Sequence, residues 1–237
     1  MDSVSLYVLI FVAISISLAY LIDDIAFLAK GFGGLYGVNA LAANLSASIY
    51  LFNRATMALI LPALGYLVDS GIGIRVMLIA IIGSTLLMGV LKIIVYRNII
   101  QVMLFVNWMA KKLYGADRVP LCNSNFANLT YKGRIEFQPA LAMILFVAGM
   151  TIPSIIAIHF FDNRAFFIQL SFIFNMVGTL LTILFIERKI AIDAEKLTTG
   201  TIDKSDFVTS IASIILSRVA GVFVYALIAI AILAVIS

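Results

Sequence analysis

Six runs of mostly apolar residues, each long enough to cross a bilayer, constrain this chain more than anything else in it. About 20 apolar residues span the hydrocarbon as a helix. By that ruler the spans are Val4–Ala29, Val38–Val68, Ile74–Tyr96, 139–160, Phe166–Ile186 and Phe207–Ile236. They are built from Leu, Ile, Val, Phe and Ala without strict alternation, which argues against a β-barrel. Hydrophobic residues make up 63% of the chain and charged ones 12%. A soluble domain has about 45–50% and about 25%, so no water-exposed surface can be built from this composition. The expected fold is all-α: a six-transmembrane-helix bundle forming one integral membrane domain over residues 1–237. The apolar stretch Val4–Ile22 has no basic segment before it and exceeds a signal-peptide core, so it reads as the first membrane helix.

The connections carry the orientation signal. Those after spans one, three and five hold eleven basic residues: Lys30, then Arg97, Lys111, Lys112, Arg118, Lys132 and Arg134, then Arg188, Lys189, Lys196 and Lys204. The opposite side holds Arg75 and Arg164. Basic residues favour the cytoplasm, so both termini are expected on the extracytoplasmic side. The net charge of +4 reads as this bias and not as nucleic-acid binding. Within the third connection, "IIQVMLFVNWMAKKLY" sets Gln101, Asn107, Lys111 and Lys112 on one arc, with Trp108 and aliphatics elsewhere. That is the pattern of an amphipathic helix in the membrane interface. A lone cysteine, Cys122, excludes an internal disulfide, and it has no Cys or His neighbour to suggest a metal site. His159 stands at a span end, an ordinary interfacial position.

Charges inside the spans are the chemical signal. An arginine at the bilayer centre costs about 2.5–3.5 kcal/mol on insertion scales, and such residues face a bundle interior or a wet cavity with a partner. Arg54 and Arg218 stand deep in spans two and six, with Asp23 and Asp24 on span one as candidate partners. Asn53, Asn175, Tyr50 and Tyr225 can add hydrogen bonds. Tyr50 and Arg54 share a helix face at i, i+4. Lys92, near the end of span three, is expected to snorkel to the interface. Adjacent helix residues diverge by about 100°, so Asp23 and Asp24 are not expected to face one point, and Asp24 is the blander of the two. On span six, Ser213, Ser217 and Gly221 are small residues four apart that permit close helix contact. Two readings compete: a structural ion-pair cluster, or a polar cavity in which arginine's planar cationic fork accepts phosphate.

The chain also resembles a known family. "YLIDDIAF" in span one, "NRATMALILPALG" with Arg54, Pro62, Leu64 and Gly65, "FNMVGTLLTILFIERKIAIDAEKLTTG", and "SRVAG" in the last span follow one another in the order seen in Amj, the alternate lipid II flippases of bacteria. The likeness covers both ends better than the middle. It departs where the family's arginine-rich first connection is here "KGFGGLYGVN", and where Tyr20 and Leu21 replace a histidine before the first acid. The resemblance implies a flippase of the bacterial plasma membrane acting in peptidoglycan synthesis, cell-wall biogenesis and cell shape. Its partner would be a lipid-linked peptidoglycan precursor, with anionic membrane lipids at the cytoplasmic face. Carried over by position, it points to Arg54, Asp23, Asn175, Glu187 and Arg218. It implies no enzyme activity and no cofactor, and monomer or homo-oligomer stays open. The rival classes are an enzyme of polyprenyl-phosphate metabolism, for which the acids are few and scattered, and a small-ion or metabolite secondary transporter.

Overall fold

The computed structural model describes residues 3–115 and 131–236; Cys122 and Arg118 lie outside them. The described elements are all helices: α1 Ser3–Tyr36, α2 Asn39–Asp69, α3 Ile74–Arg97, α4 Ile99–Tyr114, α5 Phe137–His159, α6 Arg164–Leu181, α7 Arg188–Thr198 and α8 Lys204–Ile236. A six-residue π-helical stretch, Thr182–Glu187, joins α6 to α7. Six helices are long and apolar enough to cross a membrane, with α6 and α7 counting as one. The protein is an all-α six-helix membrane bundle. The expected spans agree with these helices to within a few residues at most ends.

Two boundaries differ. The segment "KGFGGLYGVN", expected to leave the helix, continues α1 as far as Tyr36. Glycine weakens an isolated helix by about 1 kcal/mol each, but here tertiary packing outweighs that. A Cβ at Gly33 would lie 2.3 Å from the Ala42 Cβ, one at Gly31 2.4 Å from Ile211 and one at Gly34 2.7 Å from Phe207. The glycines thus form flat strips on which α2 and α8 close. The helix stops at Gly37, whose φ of +69° is left-handed, and the Val38 N–H reaches back to the Gly33 carbonyl at 3.0 Å. Such a glycine stop is a common helix C-terminus. The other difference is the connection Glu187–Asp206, whose first half is helical as α7.

Helix α4 breaks from α3 at Asn98 and crosses α8, α1 and α2. Met103 packs with Phe207 and Ile211, while Val106 and Ala110 pack with Phe32, Ala42 and Leu45. Its exposed side carries Leu104, Phe105 and Trp108 beside Gln101 and Lys112, a pattern suited to an interface. The single polar arc expected for it is divided. Asn107 is buried, because Val106 and Ala110 on the same side are drawn onto α1 and α2.

The apolar core falls into two parts along the bundle. One holds Leu9–Tyr20 of α1, Met77–Met88 of α3 and Val222–Ala229 of α8. Beyond the break lie Ala26–Leu35 of α1, Val95 of α3 and Phe207–Ile215 of α8. Between them all three helices place charged residues.

Gly33→Ala is expected to lower the thermal midpoint in detergent, since its methyl meets a methyl and a backbone Cα 3.3 Å away and overpacking costs about 1–3 kcal/mol. Gly83→Ala, in α3 with open space around it, is expected to be neutral or stabilising by up to about 1 kcal/mol. Equal midpoints for the two variants would refute the packing role of the α1 glycines.

Candidate functional site

The break in the core is a layer of buried charge. Arg218 of α8 is 2% exposed, and its Nη2 pairs with Asp23 Oδ2. Its Nη1 lies 3.2 Å from Asp24 Oδ1. Asp24 also takes the Lys92 ammonium on Oδ2 at 2.5 Å, with both side chains fully buried. The same ammonium donates to the Tyr20 carbonyl at 3.3 Å. Two carboxylates therefore face two cations, and the group is balanced when all four are ionised. Charges taken out of water need this kind of mutual compensation.

Asp23 and Asp24, not expected to face one point, both reach the Arg218 guanidinium. The two ends of a guanidinium fork are far enough apart to bridge carboxylates that leave the helix in different directions. Asp24, expected to be bland, is the central acid because it touches both cations. Lys92 does not snorkel. Its ammonium finds a carboxylate and a backbone carbonyl inside the bundle, which a buried cation requires. The Asp24 Oδ1–Arg218 Nη1 contact lacks hydrogen-bond alignment, and neither atom has another hydrogen-bond partner. Both keep capacity for one more polar contact.

An aromatic ladder leads away from this layer. Phe27 lies under the guanidinium, its centroid 4.6 Å from Arg218 Cζ, a cation–π arrangement. Tyr50 meets Phe27 edge-on at 6.2 Å, and Lys30 Nζ lies 5.6 Å over the Tyr50 ring. Lys30 then pairs with Glu187 at 2.6 Å. Asp23 is the member of the buried layer with a window, keeping 13% of its side chain exposed.

The remaining expected site residues lie elsewhere. Arg54 is exposed on α2 and no ion pair joins it to the layer, so the expected convergence of Arg54 and Arg218 on one pocket does not occur. On α2, Asn53 is buried and Tyr50 meets Phe27 edge-on, but Arg54, one turn beyond Tyr50 on the same side, finds no such neighbour and stays exposed. The Asn53 Oδ1 is buried without a hydrogen-bond partner. Asn175 sits in the α5–α6 seam, where a Cβ on Gly149 would be 3.1 Å from its Oδ1. Glu187 belongs to the Lys30 pair, at the far end of the ladder. Gly221, as expected of a small residue, lets α8 approach the α5 backbone, with Ala140 O 2.4 Å from its ideal Cβ position.

Sequence reasoning missed Lys92, Phe27 and Lys30 as members of the site. Lys92 carried a usable signal, because a second buried acid on α1 needs a second cation. Among the described residues no group of three or more His, Cys, Asp and Glu could hold a metal ion. No protein-family model, curated protein or solved structure matches the chain.

Charge balance makes a sharp prediction. Lys92→Met leaves Asp24 with less compensation and is expected to destabilise the bundle by about 3–5 kcal/mol, the usual cost of breaking a buried pair. Adding Asp24→Asn restores balance as a single Arg218–Asp23 pair and should recover most of that loss. Denaturation in detergent micelles reads both. A double variant no more stable than Lys92→Met would contradict the balanced layer.

Proposed function

We propose that the protein moves a lipid-linked, phosphate-bearing precursor of the lipid II kind across the bacterial plasma membrane. The observation that carries this reading is the Arg218 guanidinium, held within the bundle between two carboxylates with only Asp23 partly open. A phosphate presents two anionic oxygens to which arginine's fork can pair as it does to a carboxylate. The carboxylates keep the cation compensated while no substrate is present. Substrate phosphate entering on the Asp23 side would exchange one anion for another, so the cation is never left bare in a low-dielectric interior. The resemblance of the "DD", "NRATMALILPALG" and "SRVAG" stretches to the Amj flippases supports the choice of cargo.

Arg54 takes a different role from the one expected. It stands at the middle of α2, exposed, on a side with exposed Leu51, Ala55 and Ala58 that reads as lipid-facing. A cation there is expensive unless an anion visits it. In this reading Arg54 meets the head-group phosphate from the lipid side, the polyprenyl tail stays in the bilayer, and Arg218 receives the phosphate deeper in the bundle. In this reading the cytoplasm lies at the end that carries α4 and α7, with both termini outside, as the basic connections favour. A reporter fused after Ser237 that registers cytoplasm would overturn that orientation.

Arg54 is also the cleaner test, because no buried partner depends on it. Arg54→Ala is expected to insert and fold normally. It should slow appearance of precursor in the outer leaflet by about 10–100-fold, the loss of one charge-assisted hydrogen bond of about 1.5–3 kcal/mol. The assay is survival and outer-leaflet precursor in cells whose usual flippase is removed. Unchanged flipping in Arg54→Ala would sink the lipid-side route. The closed, balanced state of the Asp–Arg–Lys layer favours a second reading, a transporter that opens this layer to a small solute. Transport in liposomes without any lipid-linked substrate would select it.

A further inference from the structure

Below the charged layer, the segment 131–136 runs back along α8 in a way its sequence did not announce. It is held at Tyr131, Gly133, Arg134 and Glu136. The Tyr131 hydroxyl donates to the carbonyls of Tyr96 at 2.9 Å and Arg97 at 3.0 Å. Gly133 lies against the α8 backbone, where a Cβ would be 2.9 Å from the Ala212 carbonyl. The Arg134 N–H donates to Ser213 Oγ at 3.0 Å and the Glu136 N–H to Ser217 Oγ at 2.7 Å. Fixing the backbone this way sets alternate side chains apart from α8. Lys132 and Arg134 are both exposed, and neither has an ion-pair partner among the described residues.

These two side chains border an open cleft of about 570 Å³, together with Lys189, Thr209 and Ser210. Lys189 is held from behind by Glu136, and Ser210 is anchored by its hydrogen bond to Asp193 at 2.6 Å. Asp206 is the acid on the lining. With Lys189 already paired to Glu136 and the Ser210 proton given to Asp193, the uncommitted donors are the cations Lys132 and Arg134 and the Thr209 hydroxyl, which together favour an anion that accepts several hydrogen bonds. The volume is in the range of small-molecule sites. We infer that this cleft binds a diphosphate-bearing group, with Lys132 and Arg134 as its main contacts.

The cleft lies close to the buried layer along the same helix. Its upper edge is Ser213, and Arg218 is five residues further on, about 7.5 Å along the axis. Its use as the loading point for Arg218 rests on the transport reading above; its binding chemistry does not. The shared chemistry is the diphosphate, whether borne by a lipid or free in solution.

The test is direct binding to the purified full chain in detergent, with inorganic pyrophosphate and farnesyl diphosphate as probes. Saturable binding of at least one probe is expected. It should weaken at least tenfold in Lys132→Gln/Arg134→Gln and hold in Lys111→Gln/Lys112→Gln, which removes the same charge from α4. Tighter binding of farnesyl diphosphate assigns the cleft to a lipid head group; equal binding assigns it to a free phosphate compound. Equal loss in both double variants, or no binding by the wild type, overturns the inference. Diphosphate binding that persists while Arg54→Ala still flips precursor keeps the cleft and removes the lipid-side route. No binding beside Arg54-dependent flipping does the reverse.

Discussion

The contact between Arg218 and the paired acids of α1 is what the rest of the bundle is arranged around. A guanidinium cannot be buried alone, and here it draws α8 against α1, while Asp24 draws in α3 through Lys92. The layer cuts the apolar core in two. Above it, Tyr20 donates its hydroxyl to the Phe146 carbonyl of α5 at 2.9 Å and Ser17 to the Ser84 carbonyl of α3 at 2.9 Å. Below it, glycine-lined contacts close α1 on α2 and α8. The helices therefore share one fixed register at the depth of the charges.

Outside that register, two helices keep broad exposed faces. Helices α2 and α6 bury little of their apolar spans, and they meet at one end through the Arg164–Asp69 pair at 2.7 Å. Exposed Arg54 lies on one of these helices, and partly open Asp23 faces the aromatic ladder toward Tyr50. The proposed transport places Arg54 on the exposed flank and its enclosed cation between α1, α3 and α8. A purely structural layer needs no exposed arginine at the middle of α2, and that residue is what tips the balance between the two readings.

Much of this was legible in the residues. Span positions follow from hydrophobic length alone, and the buried acids and Arg218 stand out because charge is rare in such runs. What was hidden depends on rotation and tertiary contact. Arg54 and Arg218 look equivalent along the chain, yet one is exposed and the other enclosed, and only the neighbours that pack at each position decide that. Lys92 looked free to reach the interface because its partner lies 68 residues away. The α1 extension was hidden because glycines that loosen an isolated helix become contact surfaces once neighbours close on them. The cleft at 131–136 was hidden for a related reason: its form is set by hydrogen bonds to α8 serines about 80 residues on.

The most direct measurement is a structure of the protein in lipid with a bound polyprenyl diphosphate. The account predicts a phosphate oxygen about 3 Å from an Arg218 nitrogen, with the Asp23 carboxylate displaced and Asp24 still on Lys92. A fully occupied ligand beside an undisturbed Arg218–Asp23–Asp24 group would contradict it and leave the layer a structural brace.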